Sequence, residues 1–209
     1  MSIAEKLQTI AENAPKVFEA GKKSQYDEFW DEFQLNGERR NYYYAFFSRW
    51  QFGGWGDACF KPKYPIICEG SSQTDTVGMG MFIGCNMTKI EQAIVVKNSR
   101  CEGIFNGCKL LTTIADFTVE NAGDFKNTFM ECNALETLNI KGEIAVDGCN
   151  LGYSKKLNKE SIKKVIGILS TTTSGLTVTL SKTAVNNAFT DAEWNTLIAT
   201  KPNWNISLV

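Results

Sequence analysis

Histidine is absent from this 209-residue chain. That removes every Ser-His and Cys-His arrangement for nucleophilic catalysis and the imidazole ligands of many zinc sites. An excess of charge of one sign is missing too, because 22 basic residues face 23 acidic ones. No electrostatic case therefore exists for a nucleic-acid partner or an anionic membrane surface. No stretch approaches the roughly 18 uninterrupted apolar residues that mark a membrane-crossing helix, so no membrane span is expected. The opening Met-Ser-Ile-Ala-Glu-Lys-Leu-Gln carries acid early and lacks an apolar core, so it does not read as a secretory signal peptide.

Paired cysteine spacings are also lacking. The seven cysteines, Cys59, Cys68, Cys85, Cys101, Cys108, Cys132 and Cys149, are odd in number and form no C-x-x-C. Three of them fall in repeat register, which argues for buried thiols against a disulfide framework or a zinc site. No metal and no cofactor are expected. Carboxylates remain as acid-base groups in principle, but their spacing forms no constellation, and the chain does not read as an enzyme.

What is present is a repeat. From Met81 to Leu138 the chain runs Phe, then Cys three residues later, then an apolar pair leading into a short β-type run. The first copy is Phe82, Cys85, Met87 and Ile90, followed by Ile94 and Val96. The second is Phe105, Cys108, Leu111 and Ile114, followed by Phe117 and Val119. The third is Phe129, Cys132, Leu135 and Leu138, followed by Ile140. The Phe-to-Phe steps are 23 and 24 residues, a period that marks stacked coils sharing one core. Gly84 and Gly107 precede their cysteines and ease a turn. Glu131 holds that place in the third copy, which suggests that a positive φ is not required there. A fourth, degenerate unit is expected at Ile144, Val146, Cys149 and Leu151.

The phrase F-x-G-C-x-x-L-x-x-I, recurring about every 23 residues over Met81–Leu151, resembles the BspA-like leucine-rich repeats of bacterial surface and phage proteins. The resemblance implies a curved solenoid with a strand on one face of each coil, and a binding protein rather than an enzyme.

Upstream, Ser2 and Glu5 form a capping box. Ile3, Leu7, Ile10, Ala14 and Val17 then trace the a/d seam of a coiled coil. Pro15 interrupts that seam, and Tyr26, Phe29, Trp30 and Phe33 give a second helical face up to Asn36-Gly37. Two readings stand: a helix folded back on the solenoid's open end, or self-association into a homotrimer. The run Ile3–Lys23, the phrase Tyr26-Asp-Glu-Phe-Trp-Asp, and Tyr42-Tyr-Tyr-Ala-Phe46 are similar to the start of leucine-rich-repeat proteins encoded in prophage tail regions. That likeness implies a virion or tail-associated role.

Between Tyr42 and Phe60 aromatic residues crowd together. Tyr42, Tyr44, Trp50 and Trp55 are candidates for a carbohydrate or peptide platform beside Arg40 and Arg49. The competing reading is a cap over the first coil. Ile66-Ile67 reads as the first short strand, and Ser71–Asp75 as a loop. After the repeats, Asn158 caps a helix through about Leu169. Leu176–Leu180 alternates as a strand, and Thr190 with Glu193 opens a helix whose Trp194, Leu197 and Ile198 point inward. Trp204, Ile206 and Leu208 alternate in a final strand. The helix-strand order is similar to the C-terminal cap of the same phage-type proteins.

The fold class expected is α+β. Residues 1–36 form a helical segment, 37–80 an aromatic-rich cap, 81–151 the leucine-rich repeats, and 152–209 an α/β cap. Polar residues flanking the buried strand positions are the candidate binding surface: Gln92, Lys97, Asp116, Thr118, Glu120, Asn139 and Lys141. The partners expected are a protein or cell-surface glycan ligand, with other tail proteins. The location expected is the virion or tail, or the bacterial cytoplasm before assembly. A bacterial cell-surface adhesin is the alternative, and a cell-wall-polymer hydrolase a more distant one.

Overall fold

The computed structural model describes residues 64–209, and its strands form where β-branched and apolar residues alternate. The helical segment 1–36, Tyr42, Tyr44, Trp50, Trp55 and Cys59 lie outside the described residues. The first sheet contains β1 (Ile66–Glu69), β2 (Lys89–Ile90), β3 (Ile94–Lys97), β4 (Thr113–Glu120) and β5 (Thr137–Gly142). Every pairing in it is parallel. Ile94 pairs with Phe117 and Phe117 with Ile140, while Lys89 pairs with Thr113 and Thr113 with Thr137. Those partners stand 23 or 24 residues apart, the same period as the Phe and Cys positions. Each turn of chain thus lies on the one before it, in register.

A second backbone ladder holds the opposite side of the stack. Phe82 N donates to Ile104 O at 2.8 Å, and Phe105 N to Thr128 O at 3.0 Å. Gly84 N and Gly107 N donate to Asn106 O and Met130 O, both at 2.8 Å. With hydrogen bonds on both sides, few backbone groups of an inner turn are left without a partner. The tight bends on this side use left-handed residues in two rows: Gly80, Gly103 and Asn127, then Gly84, Gly107 and Glu131. Glu131 has φ 58°, so the reading that positive φ is dispensable there is corrected. The turn geometry repeats even where the glycine does not.

Between the two ladders lies the core. Phe82 stacks on Phe105 with ring centroids 5.8 Å apart, and Phe105 on Phe129 at 5.7 Å. Phe117 meets the Phe105 ring edge-on at 5.4 Å, an arrangement suited to the quadrupoles of both rings. Ile90, Leu111, Ile114, Leu135 and Leu138 are fully buried beside them. The cysteines sit in corners where a small, weakly donating side chain fits. Cys108 Sγ donates to Phe82 O at 3.0 Å, and Cys132 Sγ to Phe105 O at 3.1 Å. Cys85, Cys108 and Cys132 are all buried thiols.

The fourth turn differs in register from the sequence expectation. Ser154 Oγ donates to Cys132 O at 3.2 Å, and Asn158 N to Glu136 O at 2.9 Å. Both links span 22 residues, which sets Leu151 in the Phe place, Ser154 in the Cys place and Leu157 in the Leu place. Ile144, Val146 and Cys149 precede that unit. Ile144 instead bridges to Leu169.

Beyond it, longer turns carry helices. Asn158 caps α1 (Lys159–Gly167) by accepting from Ser161 N at 2.9 Å. Ser161 Oγ in turn accepts from Leu138 N at 2.8 Å, so α1 covers the edge of β5. A second sheet consists of β6 (Cys149–Leu151), β7 (Leu176–Leu180) and β8 (Trp204–Leu208), again parallel. Leu151 pairs with Leu180 and Leu180 with Leu208. Between β7 and β8 run α2 (Lys182–Ala188), capped by Ser181, and α3 (Asp191–Ile198), opened by the Thr190–Glu193 capping box. The sequence reading missed α2, a helix of two turns with a lone serine as its signal. Trp194, Leu197 and Ile198, expected to point inward, are the half-buried residues of α3 while its others are exposed, and Trp194 and Leu197 pack against the core.

A buried lysine joins the last turn to α1. Lys201 is 8% exposed. Its Nζ donates to Gly167 O at 3.0 Å and to Leu169 O. These are carbonyls at or just past the C-terminal end of α1, where a cation also suits the helix dipole. Trp204 Nε1 and Asn203 Nδ2 both donate to Ser170 O beside it, at 2.8 and 3.1 Å.

Candidate functional site

In the strands of the first sheet, side chains alternate between core and outer face. Ile94, Val96, Phe117, Val119 and Ile140 point in, so Lys97, Asp116, Thr118, Glu120 and Lys141 are displayed on β3, β4 and β5. Register then decides their neighbours. Glu69, Lys97 and Glu120 form one row across β1, β3 and β4, and Val95, Thr118 and Lys141 a second across β3, β4 and β5. Lys97 Nζ lies 3.5 Å from Glu69 Oε1, and Lys141 Nζ lies 2.8 Å from Asp116 Oδ2.

A register shift in β4 between Ile114 and Phe117 brings Ala115 and Asp116 out of the regular ladder, as bulges do. Two polar side chains answer it. Asn139 Nδ2 donates to Ala115 O at 2.8 Å and its Oδ1 accepts from Lys164 Nζ of α1 at 2.7 Å. Asp116 Oδ1 is buried without a hydrogen-bond partner, while its Oδ2 is held by Lys141. Asn139 therefore has a structural task. Gln92 stands apart from the other candidates, in the bend between β2 and β3, and is half-buried. The structure thus brings Lys97, Asp116, Thr118, Glu120 and Lys141 together, keeps Asn139 at the margin and leaves Gln92 outside the rows.

Chemically, this face offers alternating cations and carboxylates on a rigid sheet. Lys97 and Lys141 are already paired with Glu69 and Asp116, which weakens the long-range field of the face, and it suits a partner whose own polar groups match the rows at contact. Among the described residues, no group of three or more metal-ligating side chains converges, and no helix is long and apolar enough to cross a membrane.

The sequence reading did not foresee a groove between α1 and α3. It has a volume of about 550 Å³ and is lined by Lys159, Lys163, Phe189, Glu193, Thr196 and Leu197, among others. Lys159 Nζ lies 2.7 Å from Glu193 Oε1 and 5.0 Å from the centre of the Phe189 ring. The Lys159 hydrogen bond, followed by the Thr190 backbone N–H, holds the Glu193 carboxyl down at about 2. The capping box at Thr190 was legible from spacing. The meeting of Lys159 with Glu193, 34 residues on, was not. Its charges are satisfied internally, so it reads as the joint that seats α3.

No family model matches the chain, and no curated protein or solved structure matches it.

Proposed function

We propose that this protein is a non-enzymatic recognition or assembly component of a phage or prophage tail, built as a short leucine-rich-repeat solenoid that presents the outer face of its first sheet. One observation carries the reading: the turns superpose in register through the Phe82-Phe105-Phe129 stack, with a hydrogen-bonded ladder on either side. A sheet clamped in that way cannot easily adjust its spacing, so the charge rows of Lys97, Glu120 and Lys141 keep fixed positions. Rigid display of polar side chains limits the ordering cost of binding. The tail context rests on the likeness of the repeat phrase and of the N-terminal phrases to prophage-encoded proteins. The ligand class is a protein or glycan of a bacterial envelope. The N-terminal seam supports a homotrimer, which would multiply weak contacts by avidity.

Binding of the full chain to isolated bacterial envelope fractions tests this reading. Saturable binding is expected, and joint replacement of Lys97, Glu120 and Lys141 by Ala should weaken it at least about tenfold, the loss of a few polar interface contacts. The thermal midpoint should stay nearly unchanged. Binding indifferent to that triple change would move recognition off the strand face. Absence of binding to every fraction would overturn the recognition role.

A further inference from the structure

The two sheets finish differently at the C-terminal side of the stack. The edge of β5 is covered, because α1 lies on it and Ser161 Oγ accepts from Leu138 N. The edge of β8 has no such cover among the described residues. Val209 N donates to Leu180 O and Lys182 N donates to Val209 O, so Val209 faces β7. Strand alternation turns Asn205 and Ser207 the same way. The N–H and C=O groups of Ile206 and Leu208 are thereby left on the outer edge, and nothing in the second sheet pairs with them.

Proteins usually blunt such an edge with charge, proline or a bulge. At the other end of the stack Pro65 precedes β1 and Glu69 lies within it. In β8 the run Asn203-Trp-Asn-Ile-Ser-Leu-Val209 has no charged residue and no proline, and its pairing with β7 is regular throughout. Its apolar side is only partly covered, with Ile206 and Leu208 both half-buried.

We propose that β8 pairs antiparallel with β8 of a second copy of this chain, joining two three-stranded sheets into one of six. The edge is self-complementary. With a two-fold axis at Ser207, Ile206 of one copy lies opposite Leu208 of the other, and the reverse, so all four outward N–H and C=O pairs of the two copies meet. Ser207 then faces Ser207 in a non-hydrogen-bonded pair, the closer of the two antiparallel spacings. The uncharged run brings no like-charge repulsion across the axis, and the half-buried apolar side chains of the two sheets become continuous. Isologous contacts of this kind close on themselves.

Sedimentation equilibrium of the full chain tests the pairing through charge at the axis. Ser207→Lys and Ser207→Glu should each halve the mass seen for the unsubstituted chain at the same concentration. An equimolar mixture of the two should restore it, which also shows that both variants remain folded. A mass unchanged in either variant, or a mixture that stays at half, would overturn the proposal. Hydrogen exchange gives an independent reading without substitution. The Ile206 and Leu208 amides should become protected as concentration rises, and rapid exchange of both at every concentration would overturn it equally.

Discussion

At the scale of single residues, the most consequential choice is cysteine at the coil corners. Cys108 and Cys132 are small enough for a corner and still offer a proton to the carbonyl of a phenylalanine one turn earlier, Phe82 and Phe105 respectively. Burial pushes the Cys132 and Cys149 thiols up to about 12, and those of Cys68, Cys101 and Cys108 upward as well. The folded chain therefore keeps protons that the unfolded chain releases from about pH 8.5. Stability from these groups is complete below that pH and is lost as pH rises towards the folded value. Thermal unfolding between pH 7 and 10.5 should show the midpoint falling above about pH 9. Cys132→Ala should be less stable at pH 7 but fall less steeply. A parallel pH profile for the two proteins would remove the thiol from the explanation. Cys68, Cys101 and Cys149 lie outside the repeat register, whereas the positions of Cys108 and Cys132 were legible from the period alone, because burial of a small apolar group follows register. Their donation to a carbonyl of the previous turn was not, since it depends on the spacing between turns.

At the scale of elements, bends and helix ends set the stack. Gly142 closes β5 with φ 95°, and a Cβ there would lie 1.8 Å from Val119 O. Gly107 has φ 73°, and a Cβ there would approach Gly84 no closer than 3.6 Å. Both positions penalise an L side chain through φ, but only Gly142 adds a collision with backbone that cannot yield. Gly107→Ala should cost about 1 kcal/mol, and Gly142→Ala about 3 kcal/mol or more, measured by urea unfolding. Equal costs would mean that φ alone governs both bends. The three inward positions expected for α3 do face the protein, but they are not fully covered. Trp194, Leu197 and Ile198 are half-buried, Trp194 and Leu197 pack against the core, and Trp194 also meets the Phe189 ring at 5.7 Å. Periodicity reports which side of a helix is apolar, and says nothing of how much protein lies beneath it.

At the scale of the whole molecule, the two proposed association devices are separable. The N-terminal seam of Ile3, Leu7, Ile10, Ala14 and Val17 is read from the sequence alone as joining three chains, whereas the proposed β8 pairing joins two. Joint replacement of Leu7 and Ile10 by Asp should reduce the mass of the full chain threefold in light scattering, since charge at a and d positions abolishes the seam. An unchanged mass would assign the N-terminal helix to a cap. Multivalent display and rigid register act together in the proposed role: one keeps the polar rows of Lys97, Glu120 and Lys141 in place, and the other presents several copies of them.

The sequence by itself determined the period, the inward set from Phe82 to Ile140, and the caps at Asn158 and Thr190. Each is a local pattern, readable within one or two turns of chain. Tertiary structure alone decided which residues meet across turns. It placed Leu151 and Ser154 in the fourth layer, aimed Lys201 at the end of α1, joined Lys159 to Glu193, and left the edge of β8 unpaired among the described residues. Those outcomes depend on how many residues each return path consumes, 22 in one turn and 28 or 29 where helices intervene. Hydrophobic periodicity along the chain does not encode that length.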